Sequence, residues 1–76
     1  MKNLSHLRDA EIQQGMLVQP SASFKEVLDQ TIEYPLPWRL GVRTSPYLVR
    51  VLVTTKDGRG GMLSYHIQNL DVWFPD

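Results

Sequence analysis

Ser64 and His66 stand two residues apart, and on a β-strand two such residues share a face, roughly 6.5–7 Å apart along the backbone. That is too far for a ready nucleophile–base hydrogen bond, and the sequence supplies no third group placed to orient the histidine. His6 and Asp9 are spaced i, i+3 and would meet only on a helix; a tight metal site needs three or four ligands. The chain has two histidines and no cysteine, and nothing in the sequence brings His66 to His6. Gly58-Arg59-Gly60-Gly61 has the composition of a phosphate-cradling loop. Such loops open a helix whose N-terminal amides face the anion, whereas these glycines lie between two strand-like segments and read as a hairpin turn. The residues therefore imply a protein that is not an enzyme and that uses neither a metal nor any other cofactor.

Two further groupings suit binding rather than catalysis. Arg39, Arg43, Arg50, Lys56 and Arg59 are interleaved with Trp38, Tyr47 and Tyr65, and cations beside flat rings fit phosphate contact and base stacking. Tyr34-Pro35-Leu36-Pro37-Trp38-Arg39 is a stiff, aromatic-bearing segment of the kind that serves as a docking rail for a protein partner. The same segment would equally tuck Trp38 against the core. Candidate partner-binding residues are Tyr34, Leu36, Trp38, Arg39, Arg43, Arg50 and His66.

Charge is uneven along the chain. Residues 1–34 hold Lys2, Arg8 and Lys25 against Asp9, Glu11, Glu26, Asp29 and Glu33, a balance of −2. Residues 35–70 hold five cations against Asp57 alone, a balance of +4; Asp71 and Asp76 bring the total to zero. Nucleic-acid binders tend to be basic overall, so zero net charge favours a protein partner over a polyanion.

Seventy-six residues make one domain, and a chain of this length buries only about 60% of the surface its unfolded form exposes. Without cysteine there are no disulfides, so stability must come from the core, with help from a partner or a second copy. Apolar residues at 42% exceed what a disordered tail carries, yet no apolar run approaches the roughly 20 residues that span a bilayer. A soluble, cytoplasmic protein without membrane contact is expected.

The elements follow from spacing. Residues 1–14 read as an arm or short helix capped by Ser5, and residues 15–76 as a single domain. Residues 15–20 read as a strand. Ser23 and Glu26 have the spacing of a capping box, and Phe24, Val27, Leu28 and Ile32 recur on one helical face, which predicts an amphipathic helix at 24–32. Three prolines and a glycine predict an extended connection over 34–46. Residues 47–55 and 62–67 form a hairpin, with Val53 facing Leu63, Val51 facing Tyr65 and Val49 facing Ile67 across a three- or five-residue loop. Leu70 to Phe74 reads as a last strand or docked tail.

The expected fold is α+β: a small antiparallel sheet of three or four strands with one short helix, in a layout that resembles an SH3-like partial barrel. The expected function is a small protein-interaction or regulatory module that binds a larger partner or self-associates, of the kind phages and plasmids often encode. The alternative is a nucleic-acid binder using Arg39, Arg43, Arg50 and Arg59 with Trp38 and Tyr65.

Overall fold

The structure, a computed structural model, describes residues 2–28 and 35–74. Five strands form one antiparallel sheet: β1 (Leu17–Pro20), β2 (Trp38–Arg43), β3 (Leu48–Thr54), β4 (Gly60–His66) and β5 (Leu70–Val72). Their order is β4-β3-β2-β1-β5. The end strands β4 and β5 do not pair with each other, so the sheet is open and does not close into a barrel. Among the described residues helical content is slight: one α-turn, α1 (Ala22–Lys25), and 3₁₀ turns at Leu4–His6, Asp9–Glu11 and Ile67–Asn69. The chain is a sheet-dominated small domain with few helical turns.

Alternation sorts the sheet into two faces. Along β3, Val49, Val51 and Val53 are buried while Leu48, Arg50, Leu52 and Thr54 are exposed, the period-2 pattern of a half-covered sheet. Trp38 and Leu40 of β2 and Val18 of β1 join the valines on the inner face. Leu4, Ile67 and Leu70 complete the core, and Phe24, Leu28, Leu36 and Tyr65 pack at its margin. Three rings meet there: Tyr65 stacks on Trp38 with centroids 5.9 Å apart and packs edge-to-face with Phe24 at 4.9 Å.

Several local expectations are corrected. The segment 34–46 is not one long connection, because Trp38–Arg43 is a strand; its prolines flank the strand instead of interrupting it. The helix begins earlier than the Ser23 box implies. Ser21 caps it, accepting from the Phe24 N–H at 3.3 Å, and α1 ends at Lys25; the rest of the predicted helix beyond Leu28 lies outside the described residues. The hairpin pairs Val53 with Gly61, Val51 with Leu63 and Val49 with Tyr65, two residues from the expected register. A slip of two preserves both faces, so Val51 and Tyr65 still look inward and Arg50 outward. The loop holds five residues, Thr55 to Arg59, with Gly58 at φ 86°.

The first residues form part of the fold. Asn3, not Ser5, caps the first turn, accepting from the Ser5 N–H at 3.0 Å, and Leu4 is fully buried. Lys2 O accepts from the Val72 N–H at 2.8 Å and Asn3 bridges to Asp71, so this segment covers the outer edge of β5.

Candidate functional site

The residues named from sequence do not assemble on one surface. Trp38 is 1% exposed and belongs to the core, and Leu36 packs against it. Tyr34 lies outside the described residues. Arg43 is turned inward to the fold's own acceptors: its guanidinium donates to Ser45 O at 3.2 Å, to Pro46 O and to Asp9 Oδ1. Arg59 sits at the hairpin tip, 3.5 Å from Asp57. His66 uses Nδ1 to accept from the Gln68 N–H at 3.1 Å, capping the 3₁₀ turn after β4, and its ring stacks on Tyr47 at 5.8 Å. That nitrogen is already committed, so it is no base for Ser64. His6 and Asp9 fall on separate turns joined by extended Leu7 and Arg8, and Asp9 faces Arg43. Among the described residues no three potential metal ligands converge.

What the fold does bring together is the outer sheet face. Register places Leu17 of β1 opposite Arg39 of β2, Arg39 opposite Leu52 of β3, and Leu52 opposite Met62 of β4. This row crosses four strands. Its apolar members stand in solvent, with Leu17 39%, Leu52 43% and Met62 43% exposed. Trp73, whose N–H donates to Leu17 O at 3.0 Å, sits at the β5 end of the row. One row over, Arg50 pairs with Ser64, and both are exposed. Arg39 and Arg50 are therefore the cations of this face, set between aliphatic side chains.

Gly41 shapes the middle of that face. It lies beneath the Met62 methyl, which a Cβ at position 41 would overlap, and the Arg50 carbonyl is close on its other side. Beside it lies a shallow hollow of about 210 Å³ bordered by Gly15, Arg39, Leu52 and Met62. A second, more polar hollow of about 290 Å³ lies between Asp9, Arg43 and Pro46. Ligand pockets commonly enclose roughly 300–1,000 Å³ and bury most of the ligand. Both hollows are smaller than that and open, which suits a contact surface better than a small-molecule site.

The sequence pointed to Arg39 and Arg50 but not to Leu17, Leu52 and Met62. The available signal was β3 itself: its outward positions, Leu48, Arg50 and Leu52, include two large aliphatics that a purely solvated face would not require.

Comparison with protein-family models, with curated proteins and with solved structures gave no match. No helix among the described residues is long and apolar enough to cross a membrane.

Proposed function

We propose that the protein is a small, non-enzymatic, cytoplasmic interaction module that docks onto a larger protein partner through its outer sheet face. One observation carries this reading: the continuous row Leu17–Arg39–Leu52–Met62, exposed across four strands and flanked by Arg50. Contiguous exposed aliphatics on a small domain mark a contact surface. Arginine among them adds a planar donor that tolerates partial desolvation and pairs with carboxylates. The partner is accordingly an apolar segment bearing Asp or Glu.

The nucleic-acid alternative has less support. Of the rings interleaved with the arginines, Trp38 is buried, Tyr65 is packed between Trp38 and Phe24, and Tyr47 is exposed but stacked on His66. Arg43 and Arg59 point to Asp9 and Asp57.

The test is affinity capture of the tagged protein from its native lysate after nuclease treatment, comparing the parent with Leu52→Asp and Val27→Asp. Val27 is also well exposed but lies on the α1 side of the molecule. Loss of one stoichiometric protein in Leu52→Asp alone supports the reading. Equal capture by all three, or salt-sensitive retention on single-stranded DNA lost in Arg39→Ala/Arg50→Ala, overturns it.

A further inference from the structure

We infer that a second copy of this chain docks against the free edge of β4, joining two sheets through an antiparallel β4–β4 pair. The two edges of the sheet are treated differently by the fold. That of β5 is covered by Lys2 and Asn3. That of β4 is paired with no described residue, and Met62, Leu63 and Ser64 are all exposed along it. Natural sheets protect such edges with charge, proline, bulges or a covering segment. Among the described residues β4 has none of these: Gly60-Gly61-Met62-Leu63-Ser64-Tyr65-His66 lacks Lys, Arg, Asp, Glu and proline, and pairs with β3 in unbroken register.

Ladder parity shows which amides are available. Ile67 N–H donates to Tyr47 O and Thr55 N–H to Arg59 O, so the odd-numbered residues of β4 exchange hydrogen bonds with β3. The N–H and C=O groups of Met62 and Ser64 therefore point away from the sheet, where they can bond to another strand.

A second copy fits this edge by its own chemistry. A two-fold axis at Leu63 sets Met62 opposite Ser64 of the other copy, Leu63 opposite Leu63, and Gly61 opposite Tyr65. The Met62 and Ser64 amides then bond to the carbonyls of Ser64 and Met62 across the axis. Leu63, 48% exposed, meets itself at a non-hydrogen-bonded position, where side chains approach most closely. Open space lies over Gly61, so nothing there obstructs the approach of the opposite strand. The absence of charge along β4 and the zero net charge of the chain remove like-charge repulsion between copies. Because one edge is open and the other covered, pairing closes at two and does not propagate into a fibre. This pairing uses the sheet's edge and is independent of the outer-face reading above.

Sedimentation equilibrium on the full chain from about 10 µM to about 1 mM tests it, the range in which a small edge interface should show its association. The expected result is a monomer–dimer equilibrium, with Met62 and Ser64 amides gaining at least about tenfold hydrogen-exchange protection in the dimer. Ser64→Pro removes an outward donor without touching the β3 ladder and should abolish dimerisation. Leu63→Lys and Leu63→Glu should each be monomeric and should pair when mixed, a rescue that holds whether or not the proline variant folds. A monomer throughout the range, assembly beyond two, a dimer in which Met62 and Ser64 stay unprotected, or no pairing of the mixed Leu63 variants overturns the inference. Leu52→Asp should leave the dimer intact, which separates failure here from failure of partner docking.

Discussion

Arg43 of β2 reaches Asp9, thirty-four residues earlier in the chain, with Nη1 3.0 Å from Oδ1. The two ends of the contact differ in burial: the Arg43 side chain is 24% exposed and that of Asp9 89%. The exposed carboxylate is hydrated and screened, so the ion pair itself contributes little. The guanidinium matters more through Ser45 O and Pro46 O, which it ties into the β2–β3 turn. We expect Arg43→Ala to cost about 1–2 kcal/mol in urea unfolding, and Asp9→Ala less than about 0.5 kcal/mol. Equal losses would show that the ion pair, and not the turn, is what Arg43 holds. Partner capture should survive both changes.

The hairpin loop makes stability respond to acid. The Asp57 carboxyl accepts from Thr55 Oγ1 and from the Arg59 N–H, and these bonds, Thr55's first, hold it below its ordinary 3.8. A group depressed on folding stabilises the fold above its unfolded value, and that contribution disappears as pH falls through the folded one. The melting temperature of the parent should therefore exceed that of Asp57→Ala at pH 7, with the gap narrowing only once pH drops below about 3.8. A gap that stays constant from pH 7 to pH 2 would assign the effect to the loop backbone.

Two adjacent glycines separate backbone need from packing need. Gly60 has φ 149°, outside the range that suits an L side chain, and a Cβ there would overlap Val53 O. Gly61 has ordinary φ and open space around its Cα. We expect Gly60→Ala to destabilise by about 2 kcal/mol or more and Gly61→Ala to change monomer stability by less than about 0.5 kcal/mol, measured at a concentration below dimerisation.

That contrast also explains how much of the fold was legible in advance. Val49, Val51 and Val53 announce a strand with one buried face, and the turn-rich segment after them announces a hairpin. Pairing Val53 with Leu63 or with Gly61 keeps the same residues inward, so a period-2 pattern cannot choose between them. The choice rests on the Gly60 backbone and on the loop in which Thr55, Asp57 and Arg59 bond to one another. β2 was hidden for a different reason: Pro35, Pro37 and Pro46 dominate composition, while the alternation of Trp38, Arg39 and Leu40 is only three residues long. Of the candidate site, Arg39 and Arg50 were recoverable from sequence. The row they share with Leu17 and Met62 was not, because it depends on strand order.

Leu4 tests whether the N-terminal segment is structural. Its side chain is fully enclosed beside Leu70 and Ile67 in the core, and Asn3 Nδ2 donates to Asp71 Oδ1 at 3.0 Å and to Gln68 O at 2.9 Å. Removing a buried leucine side chain costs about 2–5 kcal/mol, a large share of the stability of so small a domain. Leu4→Ala should lower the urea midpoint sharply, whereas Leu7→Ala, at a partly buried position, should lower it less. Comparable midpoints for Leu4→Ala and the parent would mean that the first turn does not close the core.

Val51 and Leu52 are neighbours in sequence and opposites in role, which lets one pair of substitutions divide folding from docking. Val51 is enclosed between Leu40 and Leu63 in the sheet register, while Leu52 stands outward between Arg39 and Met62. A carboxylate at position 51 would be buried without a partner, a change expected to unfold the domain at room temperature. At position 52 it would remain hydrated beside Arg39, so the cost should stay within about 1 kcal/mol. The same carboxylate would break the apolar row and engage the arginine that an acidic partner needs. Circular dichroism should therefore report a folded Leu52→Asp and an unfolded Val51→Asp, with partner capture lost in the folded variant. A Leu52→Asp that folds and still captures its partner would move the docking surface off this face.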